Sequence, residues 1–358
     1  SEAGPREVFA LALPLFLSTC SMTVQVFVDR MFLTWYSAGA TAAAIPAVCV
    51  LWVLLGPLNG IVSFANTFVA QYHGAGRPER IGPAVGQAIL FAAAGGVAML
   101  TLVPAARFIF ELVGHDPAVI ELEAVYFQTI LFSAGPMLVM NAVACFFGGL
   151  GRTWVVLWLN VVATVVNIVL DYALIFGHWG FPEWGIAGAG WATAIGYFVA
   201  ACVSLVLLWA ADEDGRYGVR RRTANRRVGR GFEAHQFSVE HGDNDGGPRR
   251  LDPPYASFLI PDAELLRRLL RFGGPNGLMV LIDVLAWTWF VLLIGRLGMR
   301  ELAASNVAFN INMFAFGPIM GVGPAVQILV GQRLGEGRPA LAARATWSAF
   351  WLAFVYTA

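Results

Sequence analysis

Nine stretches of this sequence stay apolar for about the twenty residues that a helix needs to cross the hydrocarbon core of a bilayer. They lie near residues 8–35, 42–71, 84–113, 119–147, 153–177, 186–210, 268–295 and 302–331, with a ninth from about 341 that the last residue cuts short. In hydrocarbon, backbone N–H and C=O groups must be satisfied within the segment, so a chain built of such runs folds as helices. We therefore expect an all-α polytopic membrane protein with eight complete spans and part of a ninth. The mean hydropathy of +0.67, with 58% of residues hydrophobic and 13% charged, is too apolar for a soluble domain of this size.

Charge sets the expected orientation. All 23 basic residues are arginine, with Arg77 and Arg80 after the second run and Arg152 after the fourth, against His115, Asp116, Glu121 and Glu123 after the third. The positive-inside rule then places the N-terminus in the cytoplasm and the chain in the cell membrane. Arg296 and Arg300 run against this pattern and are outvoted. No signal-peptide pattern precedes the first run. Cys20, Cys49, Cys145 and Cys202 lie in apolar segments at unrelated spacings that fit neither a metal site nor a disulfide frame.

A shift of 261 positions superposes the sequence on itself. It pairs Pro14 with Pro275, Ala43 with Ala304, Ala47 with Ala308, Gly56 with Gly317, Pro57 with Pro318 and Gly60 with Gly321. It also pairs Gln71, Gly74, Gly76, Arg77 and Pro78 with Gln332, Gly335, Gly337, Arg338 and Pro339. The motif Gln-x-x-Gly-x-Gly-Arg-Pro follows the second span of each copy, after an even number of spans, so the copies have the same orientation. That predicts two parallel-repeat helical bundles related by a pseudo-twofold along the membrane normal, with a substrate path between them. We expect residues 1–210 to form a six-helix bundle, residues 211–262 an arginine-rich cytoplasmic linker without order, and residues 263–358 a second, incomplete bundle. The segment 263–272 reads as an amphipathic lead-in to the seventh span.

Polar groups inside the spans mark the candidate site. The run Leu157–Phe176 carries Asn160, Asn167 and Asp171, although an aspartate at a helix centre costs about 2.5 to 3.5 kcal/mol even on a lenient insertion scale. Asn167 and Asp171, spaced i, i+4, share a helix face. Asp29 is 23 residues beyond Arg6 and Asp171 is 19 beyond Arg152. At 1.5 Å per residue, both acids lie roughly 29 to 35 Å from an inner-face arginine. Thr193, a few residues into the sixth span, shares that depth. Asp29, Asn167, Asp171 and Thr193 are therefore expected to line one cavity. Two carboxyls close together in a low dielectric cannot both stay ionised cheaply, which suits a proton site; the same oxygens suit Na⁺. Pro14 and Pro275 each remove a backbone hydrogen bond and favour a kink, hence a hinge. Asp283 is the acid of the second copy, while the position matching Asp29 is Phe290. Trp287, Trp289, Phe309, Met313, Phe314 and Phe316 suit either packing or an apolar wall for bulky ligands.

The segments GGLGRTW (148–154), NIVLDYALIFG (167–177), GIAGAGWAT (185–193) and VAQYHGAGR (69–77) resemble the multidrug and toxic-compound extrusion (MATE) family. The resemblance covers nearly all of the chain except the linker, which is longer than the family's usual inter-bundle loop. It implies two six-helix bundles and an antiporter that exports cationic or amphipathic organic compounds in exchange for H⁺ or Na⁺, without a cofactor. It also implies that Asp29, Asn167, Asp171 and Thr193 form the cation site of the first bundle, and that Pro14 is the first-helix proline linked to bending. Asp283 falls where many members have a glutamate. Partners are then small organic cations and the lipid bilayer, with no nucleic acid, and the protein is a monomer. One alternative is a lipid-linked precursor flippase of the same superfamily, which would want basic residues in the cavity; Arg30 and Arg107 are the intramembrane candidates. Another is an inactive truncated fragment. An intramembrane enzyme would show a His/Glu metal motif, a serine with its base or paired aspartates in a GxGD context, and the sequence shows none. Neither the exported compound nor the coupling ion is legible from these residues.

Overall fold

A computed structural model describes residues 4–113, 117–219, 258–297 and 319–357. Pro5 opens α1 (Pro5–Tyr36) at the one helical position where a missing N–H costs nothing, with Glu7 in the first turn facing the positive end of the dipole. Ser37 ends it in an extended conformation, and its hydroxyl accepts the Ala40 N–H (3.3 Å) to cap α2 (Ala38–Ser63). One residue thus joins the first two spans, and the second begins before the expected residue 42.

The remaining elements are α3 (Ala65–Gly74), α4 (Ile81–Leu100), α5 (Ala106–Val113), α6 (Pro117–Ile130), α7 (Ala134–Gly149), α8 (Thr153–Phe176), α9 (Ile186–Ala211), α10 (Ala263–Leu297), α11 (residues 319–335) and α12 (Pro339–Thr357). Seven stretches among the described residues are long and apolar enough to span a membrane, from Pro5–Tyr36 to Ala263–Phe290. They coincide with the first seven expected spans. The second, third and fourth each contain a local break: at Phe64 between α2 and α3, around residues 101–105, and at the 3₁₀ turn Leu131–Ser133. Most of the eighth expected span falls outside the described residues. The ninth is α12. The lead-in at 263–272 is no separate surface element, because Asp262 caps α10 through Glu264 N–H (2.9 Å) and Leu265 N–H (3.1 Å) and the helix runs unbroken through Pro275.

Helix α8 lies between α1 and α9, α7 packs on α4 and α9, and α6 on α2 and α9. Lipid is as apolar as leucine, so close approach over small side chains supplies the cohesion. Ala43, Ala44 and Ala47 of α2 are buried, and a Cβ on Gly96 of α4 would overlap the Gly135 backbone of α7. The second bundle meets the first along α10 against α2, and along α1 against α11 and α12, where Val8 and Ala12 bury against Val322, Ala325, Leu329, Ala345 and Ala349. These two seams are equivalent under the 261-residue shift. A Cβ on Gly60 of α2 would lie 2.7 Å from Gly277 Cα of α10, and one on Gly321 of α11 would lie 2.8 Å from Phe16 N of α1. Gly60 matches Gly321 and Phe16 matches Gly277, so the parallel repeat is built into the packing.

The linker departs from expectation at its ends. The buried carboxylate of Asp212 accepts the N–H groups of Tyr217 (2.6 Å) and Val219 (2.7 Å), and the Tyr217 carbonyl accepts the Gly82 N–H at the start of α4 (2.7 Å). At the other end the buried Gln87 amide clasps the chain, donating to the Ile260 carbonyl (2.8 Å) and accepting from Asp262 N–H (3.1 Å). Residues 211–219 and 258–262 are therefore docked on the first bundle. Low hydrophobicity missed this because hydrogen bonds to two buried polar side chains hold these segments, together with a few apolar contacts of Tyr217, Val219 and Phe258 on the core of the first bundle. Residues 220–257 lie outside the described residues.

Candidate functional site

The site is assembled by the glycines of α9. A Cβ on Gly188 would lie 2.6 Å from the carbonyl carbon and oxygen of Leu174, one on Gly196 would lie 3.0 Å from the Ala163 carbonyl oxygen, and one on Gly190 would overlap the Thr129 hydroxyl. Glycine at these positions lets α9 touch the backbone of α8 on one side and α6 on the other, which brings Thr193 against Asn167. Gly185 supplies the turn into α9 with φ +54, a conformation that side chains rarely adopt, and packs under the Tyr36 ring.

Asn167 is the hub. Oriented so that both ends of its amide are satisfied, its nitrogen donates to Asp171 Oδ2 (3.1 Å) and its oxygen accepts from Thr193 N–H and Oγ1–H (3.2 Å each). Asn167 and Asp171 are both 0% exposed. Across from them on α1, the Asp29 carboxyl accepts a hydrogen bond from the Tyr126 hydroxyl of α6 and feels the charge of adjacent Arg30. Asp29 and Asp171 are near enough to act on one another through their charges. Each keeps one buried oxygen, Oδ1, that no donor among the described residues meets.

Asp29, Asn167 and Thr193 lie on the wall of one cavity of about 110 Å³, together with Gln25, Arg30, Trp52, Tyr126 and Tyr197. Asp171 does not reach that wall; it sits one layer back, connected through the Asn167 amide. Asn160 is not part of the group, since its side chain donates to its own helix at the Val156 carbonyl (3.0 Å). Pro14 is buried on α1 beside the seam with α11, and Pro275 is exposed on α10; neither lines the cavity. Asp283 is exposed on α10 and is not brought to the other acids. Trp287 stacks on Phe290 (5.9 Å) outside the cavity, while Phe309, Met313, Phe314 and Phe316 fall outside the described residues.

Two parts of the site escaped the sequence reading. Gln25, one turn before Asp29 on the same face, accepts from the Thr164 hydroxyl (3.3 Å), and Ser21 donates to Thr164 (2.9 Å), so a polar ladder joins α1 to α8 below the acids. The i, i+4 spacing from Asp29 was a usable signal for Gln25. Tyr126 had none, because an aromatic within an apolar run reads as packing until its hydroxyl is seen on a carboxyl.

At the end of the bundle nearest the cavity, Phe32, Tyr36, Tyr172 and Phe176 pack ring to ring, with His178 stacked on Tyr172 at 4.4 Å. Such amphipathic rings suit the water–lipid boundary.

Comparison with known proteins agrees with this architecture. The chain is 28% identical over 337 residues to "Probable multidrug resistance protein NorM" of Geobacillus kaustophilus (strain HTA426), an alignment that takes in 93% of this chain and 66% of the relative, so the chain spans slightly less than two thirds of that protein's length. Among solved structures, a MATE in complex with MaL6 superposes with a TM-score of 0.81 at 19% identity, over 99% of this chain and 70% of the other. An outward-facing multidrug resistance MATE family transporter of the MOP superfamily superposes with a TM-score of 0.79 at 18% identity, over the same shares. The MatE family matches residues 14–173 and 275–358, which include α8 as far as Ala173, Asp171 among them, and segments on both sides of the linker. With most of both bundles inside that match and the repeat built into the packing, the chain belongs to the MatE family.

Proposed function

We propose that the chain is a secondary active antiporter of the cell membrane, exporting cationic or amphipathic organic compounds in exchange for H⁺ or Na⁺, with a cytoplasmic N-terminus and a monomeric unit. The observation that carries this reading is the pair of acids, Asp29 and Asp171, sunk among helices with one unmet carboxyl oxygen each beside a single cavity. Burying such a pair costs energy that packing alone does not return. A bound proton or Na⁺ relieves it, and so does a cationic compound in the cavity. Competition between the two follows from sharing the same charge. Because a ligand moves a conformational equilibrium only through unequal affinity for its two states, ion and compound drive opposite steps of the cycle if they favour opposite states. Asn167 and Thr193 would transmit occupancy at Asp171 to α9, and the bond between Tyr126 and Asp29 would transmit it to α6.

The test is efflux of a fluorescent organic cation from proteoliposomes, with a pH gradient and a Na⁺ gradient imposed separately. One of the two should drive export, and Asp171→Asn should abolish it while leaving the fold intact. Export that responds to neither gradient, or full coupled export by Asp171→Asn, refutes the reading.

A further inference from the structure

Arg30 is a charge that the cation site leaves unexplained. It follows Asp29 on α1 and stands with it on the cavity wall, yet a cavity that takes cations has no need of a guanidinium. Among the described residues that guanidinium makes no hydrogen bond and no ion pair. By contrast, Arg107, Arg333 and Arg338 pair with glutamates, and Arg216, Arg268 and Arg271 lie over aromatic rings.

The shape of the cavity explains how two neighbours share it. Consecutive helical residues point different ways, whereas residues four apart share a face. Val26 and Arg30 form one such row on α1, Gln25 and Asp29 form the next, and all four line the cavity. The cavity therefore wraps round two faces of the helix and receives a base from one and an acid from the other. The charge of Arg30 also reaches the Cys49 thiol of α2, next to cavity-lining Val48, which puts the guanidinium on the α2 side of the cavity and not out in lipid.

An arginine within a membrane is costly and marks a binding partner or a pathway. Asp29 beside it keeps an unmet carboxyl oxygen, Oδ1, so consecutive residues offer a free acceptor and a fork of free N–H donors. Trp52, Tyr126 and Tyr197 supply an aromatic wall. A volume of about 110 Å³ is that of several water molecules, which a compact organic molecule would displace.

We propose that Arg30 is a specificity-determining residue and that the cavity takes compact aromatic zwitterions. The carboxylate binds the Arg30 guanidinium, the ammonium binds Asp29, and the ring lies against Trp52, Tyr126 and Tyr197. The proposal rests on the antiport reading and names the substrate class of that site. Guanidinium and carboxylate meet in a planar, two-point pair, so a zwitterion gains a contact that a plain organic cation lacks. The plain cation meets repulsion from Arg30 instead. A lipid-linked pyrophosphate fares no better, because its negative charges meet Asp29. H⁺ or Na⁺ at Asp29 removes one of the zwitterion's two anchors and so favours its release.

The test measures binding of radiolabelled tryptophan to the full chain in nanodiscs near neutral pH. Two relatives keep the indole ring: tryptamine lacks the carboxylate, and indolepropionate lacks the ammonium. Tryptophan should bind about tenfold more tightly than either, the usual effect of one charge-assisted contact. Arg30→Gln should erase the advantage over tryptamine, and Arg30→Lys, which keeps the charge, should retain part of it. Tryptophan bound no more tightly than tryptamine by the unmodified chain overturns the proposal, whether or not the variants fold. An unchanged ratio in Arg30→Gln overturns it too, since that is the behaviour of an arginine that serves only the fold or reaches lipid headgroups. Binding of none of the three compounds is equally fatal. In proteoliposomes, a pH or Na⁺ gradient should drive export of tryptophan. Selective binding without gradient-driven export of any of the compounds fails the antiport reading alone, whereas gradient-driven export of tryptamine in preference to tryptophan overturns the proposal and leaves antiport standing.

Discussion

Replacing Gly188 by alanine isolates what the close approach of α8 and α9 contributes. The new methyl would lie 2.6 Å from the carbonyl carbon and oxygen of Leu174, where ordinary van der Waals contact begins near 3.4 Å. Helix α9 must therefore withdraw by roughly 0.8 Å, or strain the backbone of α8. The Leu174 carbonyl has little freedom to yield, because it also accepts the Trp184 N–H at 2.9 Å. Five residues along α9, the bonds from Thr193 to Asn167 measure 3.2 Å and have only about 0.3 Å to spare before they cease to be hydrogen bonds. Overpacking costs about 1 to 3 kcal/mol and the lost bond about 0.5 to 1.5 kcal/mol, so Gly188→Ala should destabilise the protein by roughly 1.5 to 4.5 kcal/mol. Thermal unfolding of the detergent-solubilised protein measures this, with Gly274→Ala as the control. Gly274 lies within α10 with nothing inside 4 Å of its would-be Cβ, so its replacement should be neutral or stabilise by up to about 1 kcal/mol. If Gly188→Ala melts with the unmodified protein, close backbone contact does not hold Thr193 in place.

Asp212→Ala should free the turn at residues 212–219 from α4 and cost about 1.5 to 3 kcal/mol, as removal of a charged hydrogen-bond acceptor does; faster proteolytic cleavage at that turn would show it. Gln87→Ala should release residues 260–262 and expose the start of α10 to cleavage, whereas Gln87→Glu, which keeps the acceptor and loses the donor, should have a smaller effect. Tyr126→Phe removes the hydroxyl from Asp29 without altering the apolar packing, so coupled efflux should fall while thermal stability changes by less than about 1.5 kcal/mol. A Tyr126→Phe protein with normal coupling would detach α6 from the cation site.

Long apolar runs announced seven spans because bilayer thickness and helical rise leave one length to match. The 261-residue shift announced the parallel repeat because paired glycines and prolines mark backbone positions that tolerate little else. Asp29, Asn167 and Thr193 were legible as a group because depth can be counted along a straight helix. The count is blind to azimuth, which is why Asp171, at the same depth, was expected on the cavity wall and stands behind it. The turns of a chain around a buried polar group are also hard to read: nothing near Asp212 says that its two oxygens face Tyr217 and Val219. Tyr126 could be recognised only across helices.

The clasp on α4 has a consequence for how this protein tolerates change. Tyr217 returns to α4 at Gly82 and Asp262 at Gln87, five residues or about 7.5 Å apart along the helix. Whatever lies between, residues 220–257 in this chain, leaves and rejoins the first bundle at two neighbouring posts. Closure entropy rises only logarithmically with length, each doubling costing about 0.6 kcal/mol. Residues can accumulate there, or a foreign domain can be spliced in, without pulling on α10 or the seam it shares with α2. Evolution and protein engineers are offered the same insertion point.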